Sequence, residues 1–303
     1  MKRLFLLLAI VATVACGSET PERHGWDMDV RLNGNVESVT VTKYDLAQKF
    51  GELVRDDVRS RRIYKFNELG HVSEISAYYS DSDLDYKEIY TYDAEGRIID
   101  ESNYRTNGSL SGKTVYKYNS EGDCMSREHY DDEGELRWRR IYVYDSAKRI
   151  IEDSEYDSYG ELDSKYIYKY DGDHVVEIAF YGDEGDLIDK IVNKYDSAGN
   201  NIESIEYDSD GEFDGKSVYK YDSDGNVVEE CRYYSDGSLR YKHVYKLNSH
   251  GNIVEDQEFN ARNMLEGKSI ARYDSEANLV EVTEFRGAGL IPYSQLELQI
   301  VYR

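Results

Sequence analysis

This 303-residue chain is poor in several things at once. It has two prolines, two tryptophans, seven phenylalanines and three cysteines. Scarce proline leaves nearly every backbone N–H free to donate, which the interior strands of a sheet require. Basic residues are outnumbered, with 37 Lys and Arg against 61 Asp and Glu and a formal net charge of -24. A surface that acidic repels phosphate backbones and anionic headgroups, which excludes nucleic acid as a partner. Beyond the first residues no apolar run approaches the length of a membrane span. His-Glu-x-x-His, Cys-x-x-Cys, phosphate-cradling Gly-rich loops and the Gly-x-Ser-x-Gly elbow are all missing, so neither a zinc site nor an enzyme is expected.

What the chain has is tyrosine, 30 of them, and 23 glycines. Tyrosine favours half-buried pleated surfaces, and glycine supplies tight turns, so the bias is towards β structure.

The first residues read as an export signal. Lys2 and Arg3 precede an apolar run from Leu4 to Val14, which is the length of a signal-peptide core. The run ends in Val14-Ala15-Cys16-Gly17 and resembles the lipobox of bacterial lipoproteins, with Thr13 where that motif carries Leu. The resemblance implies residues 1–15 as signal peptide, acylation of Cys16, residues 16–29 as a lipidated, flexible tether, and an outer-membrane location within the cell envelope.

From residue 30 to 303 the chain repeats. An aromatic opening an Asp or Asn corner occurs at Tyr44, Phe66, Tyr92, Tyr118, Tyr144, Tyr170, Tyr195 and Tyr221, with Leu247 in the same slot, then at Tyr273. Most intervals are 26 residues; the first is 22, and the one from Tyr170 to Tyr195 is 25. In Tyr219-Lys220-Tyr221-Asp222-Ser223-Asp224-Gly225-Asn226 the two rings share a strand face, Asp opens the turn and Gly takes the positive-φ position. Each unit then supplies two strands and two turns. The expected fold is all-β: tandem β-hairpin repeats of about 26 residues in one long antiparallel meander of about twenty strands, curled or coiled into a spiral or solenoid. The irregular ends, Leu46 to Val54 and Leu296 to Tyr302, are expected to cap it.

Two ladders are expected across the sheet. Twelve residues past most anchors an aromatic returns, as at Tyr78, Tyr104, Tyr207 and Tyr233, and these rings should stack unit on unit. Lysines before the anchor (Lys65, Lys194, Lys220, Lys246) should pair with Glu74, Glu203, Glu229 and Glu255 in the following strand, in a register the repeat leaves open. Cys124 and Cys231 lie four units apart in different phases, too far to bridge, and read as free thiols.

The corner Tyr-x-Tyr-Asp-x-x-Gly-x-(Ile/Val), at Tyr90 to Ile98 and Tyr219 to Val227, resembles the YD repeat of RHS proteins over roughly residues 30 to 290. That resemblance implies hairpins wound into a spiral β-sheet shell. Units of 26 are longer than that family's, and the large members' Pro-rich core segment and toxin cargo have no counterpart here. The segment Tyr207 to Lys216 also resembles a MORN-type hairpin.

Function is expected to be binding: an envelope-anchored, non-enzymatic scaffold or adhesion protein, held to the membrane by its lipid and contacting a glycan or another envelope protein. The alternative is a carbohydrate-binding lipoprotein. A glycan hydrolase is a distant third, because no carboxylate pair is singled out. Trp138, Phe180 and Tyr181 are the candidate ligand contacts, since there the aromatic pattern departs most from the repeat. No cofactor is required; Asp208, Asp210 and Asp214 beside Gly211 are the weak calcium candidates, although Asp-x-x-Gly is equally what a turn needs.

Overall fold

A computed structural model describes residues 32–80, 82–287 and 289–303. The expected signal peptide (residues 1–15), Cys16 and the expected tether (16–29) lie outside the described residues. Twenty β-strands, from β1 (Val36–Lys49) to β20 (Ile291–Tyr302), form one sheet, with antiparallel hairpins following one another along the chain. Two compact units divide the described residues. One comprises those of Met1–Arg139 with Arg272–Val282 and Ser294–Arg303; the other comprises Arg140–Ala271 with Thr283–Tyr293.

The corners explain why these sequences turn where they do. Asp222 Oδ1 accepts the N–H groups of Asp224 and Asn226, each at 2.9 Å, while Asp222 N–H donates to the Asn226 carbonyl at 2.9 Å. Gly225 closes the turn at φ +84°, a conformation that costs glycine nothing and other residues about 1 kcal/mol or more. Lys148 (φ +62°), Asn263 (+57°) and Ala277 (+60°) occupy the same position in their own corners. The single 25-residue interval arises at one turn. Between β10 (Leu162–Asp171) and β11 (His174–Tyr181) only Gly172 and Asp173 remain, with Gly172 at φ +55°, so one loop residue is lost.

In the first unit two expectations are corrected. Tyr44 opens no corner: it lies within β1, and the turn comes later, at Phe50-Gly51 (φ +54° and +85°). The ends are not capped either. β1 pairs with β2 (Glu52–Phe66) on one side and with β20 on the other, from Val36 opposite Tyr302 to Asp45 opposite Ser294. The meander therefore closes on itself and is not an open spiral or solenoid. Pairing the first strand with the last removes the two unsatisfied edges that an open array would expose.

Burial differs between the units. Val36, Val39, Tyr64, Val72, Ile75, Leu279 and Leu298 are buried in the first and form a conventional apolar core; each such side chain contributes about 1.5–3 kcal/mol. In the second, Ile150 and Ala179 are joined by buried polar groups: Ser154, Asn193, Ser217 and Glu230.

Candidate functional site

Alternation along the strands gives the sheet two chemically distinct faces. One carries the charged ladder, and its register is direct: Lys65 opposite Glu74, Lys194 opposite Glu203, Lys220 opposite Glu229, Lys246 opposite Glu255. The N–O separations are 2.9, 2.6, 2.6 and 2.8 Å. A second lysine from the next strand closes on the same carboxylate in three cases, Lys87 on Glu74, Lys216 on Glu203 and Lys268 on Glu255. The returning aromatics Tyr207, Tyr233 and Phe259 lie on this face too, each against a lysine. Tyr207 lies opposite Lys190, Tyr233 opposite Lys216 and Phe259 opposite Lys242, with each ammonium 4.6 to 5.9 Å from the ring centre. The aromatic ladder is corrected to cation–ring pairs for a simple reason. A unit contributes two strands, so equivalent rings are about 9.6 Å apart.

The opposite face carries the anchor tyrosines, and their repeated bond is to backbone. The hydroxyls of Tyr92, Tyr118, Tyr170, Tyr195 and Tyr221 donate to the carbonyls of Val72, Ile98, Ile150, Val175 and Asn201, twenty residues back, at 2.6 to 2.9 Å. The last corner residue before that carbonyl covers the ring: His71 on Tyr92, Arg97 on Tyr118, Arg149 on Tyr170, His174 on Tyr195. Each clasp ties a strand end to the corner of the preceding unit.

In the second unit this face also gathers ionisable groups. The elements are β13 (Asn201–Tyr207), β14 (Phe213–Tyr221), β15 (Val227–Tyr234), β16 (Leu239–Leu247) and β17 (Ile253–Asn260). Glu230 lies opposite Tyr219 on β14 and His243 on β16, and is 1% exposed. His243 Nδ1 lies 2.8 Å from Asp256 Oδ1, and its ring meets Tyr241 edge-on and stacks on Tyr245. Arg232 holds both oxygens of Glu206 at 2.5 and 2.6 Å. Burial pushes the Glu230 carboxyl above the usual carboxylate range. Burial alone would lower His243, but the Asp256 hydrogen bond and charge outweigh it and raise it. The cluster can bind a proton and offer hydrogen bonds beside tyrosine rings.

The first unit adds a projecting element. β1 and β2 run 14 and 15 residues; β1 pairs with β20 from Val36 to Asp45, and β2 pairs with β3 (Val72–Tyr79) from Ser60 to Phe66. Residues 46 to 59 pair with each other as the outer, two-stranded finger of this hairpin, with Phe50 fully exposed at its tip and Leu53 beside it. Ion pairs Lys49–Asp56 and Arg59–Asp45 brace it, and Arg55 reaches Gln295 and Glu297 of β20 at 2.6 and 3.0 Å.

The candidate contacts drawn from the sequence are not brought together. Trp138, in the first unit, stacks on His129 at 5.3 Å, where Gly112 leaves room for the imidazole: a Cβ there would meet His129 Cε1 at 3.0 Å. Phe180, in the second, stacks on Tyr166 at 4.7 Å; its neighbour Tyr181 points to the other face, under Lys165. Asp208 uses its Oδ1 on the N–H groups of Asp210 and Glu212, as a turn does, and no group of three or more metal-ligating side chains occurs among the described residues. Asp208, Asp210 and Asp214 thus form no calcium cage. Cys124 and Cys231 are not joined in a disulfide. Sequence reading missed Glu230, His243 and Asp256. Their one signal was variation: the slot of Glu230 holds Ile75, Glu101, Arg127, Asp153, Ile178, Ser204 and Asp256 in other units, while its neighbour is repeatedly Glu.

No family model and no curated protein matches this chain. Among solved structures it is similar to a porin-like protein from Bacteroides uniformis ATCC 8492, at 9% identity over 88% of this chain and 96% of that one, with a TM-score of 0.39. It is similar to a second porin-like protein, from Bacteroides vulgatus ATCC 8482, at 11% identity over 89% and 99% of the chains, with a TM-score of 0.27. It also resembles TcdB2-TccC3, at 12% identity over 87% of this chain and 20% of that one, with a TM-score of 0.35, so it spans about a fifth of that chain. At these TM-scores none of the likenesses bears on what the protein does.

Proposed function

We propose that the protein is a non-enzymatic scaffold, anchored to the cell envelope through Cys16, that binds another envelope component through the finger of β1 and β2. The observation that carries this reading is Phe50. A fully exposed aromatic at the tip of the longest hairpin, in a backbone conformation that costs a non-glycine residue about 1 kcal/mol or more, is retained at the expense of stability. β1 begins at Val36 and reaches the tip fourteen residues on, roughly 46 Å along the strand. A lipid at Cys16 would thus hold the far end of β1 and leave the tip free for a partner. The non-enzymatic part of the reading rests on how the carboxylates are used, in turns and in the lysine ladder. The YD-type corner belongs to the same reading, as the device that repeats the hairpin.

The mature domain, with and without Phe50→Asn and Leu53→Asn, tests the proposal by capture of envelope components. A component held by the wild type and released by the folded variant supports it; equal capture by both refutes it. Acyl labelling that persists in Cys16→Ser would refute the anchor.

A carbohydrate ligand is the second reading, favoured by the Tyr166–Phe180 stack beside Arg140 and Glu155, which are joined at 2.5 Å. A stacked aromatic next to paired polar groups is a common sugar-binding arrangement. Binding on a glycan array that Phe180→Ala abolishes would establish it, and binding indifferent to both Phe180→Ala and Trp138→Ala would remove these residues from it.

A further inference from the structure

Among the described residues Glu230 is the most deeply buried carboxylate of the second unit, yet no cation among them bonds to it. Its Oε2 accepts from Tyr245 at 3.4 Å, and its Oε1 has no hydrogen-bond partner among the described residues. The two cationic groups near it are engaged elsewhere: Arg232, from the same strand, clasps Glu206, and His243, opposite on β16, is bonded to Asp256. Tyr219 faces it from β14, Tyr241 and Tyr245 from β16, and Asp256 and Glu258 lie beyond on β17. With Arg232 committed to Glu206 and His243 to Asp256, an ionised Glu230 would add a negative charge with no cation of its own, on a sheet face that already carries Asp256 and Glu258. Burying such a charge is far more costly than burying the neutral acid.

We propose that Glu230 is held as a neutral carboxylic acid at neutral pH and acts as a pH sensor for the second unit, whose strands β14 to β16 loosen when the proton is lost. The direction follows from the raised affinity for that proton in the folded state. The contribution of Glu230 is complete below its ordinary value of 4.5 and is lost as pH rises through the higher folded value. His243 has the same sign, being complete below 6.5 and lost above, so the two groups need separate variants.

The test is the urea midpoint of the mature domain from pH 5 to pH 9 for the wild type, Glu230→Gln and Asp256→Asn. Gln copies the neutral acid, so Glu230→Gln should match the wild type at the acid end, exceed it at the alkaline end, and flatten the profile even where Asp256→Asn leaves a slope. A Glu230→Gln profile parallel to the wild type overturns the proposal. A second readout does not depend on variant stability. At pH 7 the wild-type infrared spectrum should contain a protonated-carboxyl stretching band, and its absence would equally overturn it.

Discussion

The hydroxyl of Tyr221 donates to the carbonyl of Asn201 across 2.6 Å, from the last residue of β14 to the first of β13. Burial pushes this phenol up to about 12, so it remains a donor throughout the physiological range. The same bond recurs at twenty-residue separation in four other units, which makes it the repeated fastening of the meander.

Tyr221→Phe keeps the ring and removes only the hydroxyl, leaving a part-buried carbonyl short of its donor. Unfolding free energy should fall by about 1–2 kcal/mol in urea titration. Leu247 occupies the anchor slot without a hydroxyl, and Leu247→Tyr should raise stability by up to about 1 kcal/mol. A Tyr221→Phe variant as stable as the wild type would show that the clasp contributes nothing.

The corners predict two changes of opposite sign at one position of the turn. Ala277 sits at φ +60° and Gly225 at +84°, and a Cβ at Gly225 would have room, with Asn200 Oδ1 at 3.6 Å. Conformation rather than crowding therefore decides. Ala277→Gly should stabilise and Gly225→Ala destabilise, each by about 1 kcal/mol, read as shifts in thermal midpoint.

The ladder predicts acid lability. Lys194 and then Lys216 hold Glu203 below its ordinary 4.5, and Lys220 does the same for Glu229. A carboxylate depressed in the folded state contributes stability above 4.5 and loses it as pH falls through the lower folded value. The urea midpoint should thus decline on acidification from pH 5 to pH 3, less steeply in Glu203→Gln and in 1 M salt. Lys194 and Lys220 are more than half exposed, so each of their pairs contributes under about 1 kcal/mol at neutral pH. A slope unchanged by the substitution would remove the ladder as its cause.

Much of the fold is legible because the units are local. Tyr219 to Asn226 encode a strand, a turn and the choice of face within eight residues, and the 26-residue spacing encodes the next hairpin. The Lys220–Glu229 pairing is visible as a pattern, but its register depends on a bulge after Lys220, where Tyr221 comes to lie opposite Val227. The stacked aromatic rows could have been rejected beforehand, since two strands per unit already separate equivalent rings. Tyr44 misled for a different reason. Its Tyr-Asp dipeptide matches the corner, but Gly51 comes six residues after Asp45 rather than three, and β1 continues through it.

Composition and period alone determine the strands, the turns, the two faces and the charge ladder, because each depends on residues a few positions apart. Closure by β1 against β20 depends on strands about 250 residues apart, a separation at which no local pattern operates. The burial of Glu230 is also decided by packing, here by the neighbouring strands β14 and β16. Its side chain is one acid among 61 in the sequence, and only the strands packed around it decide that this carboxyl lies 1% exposed without a cation.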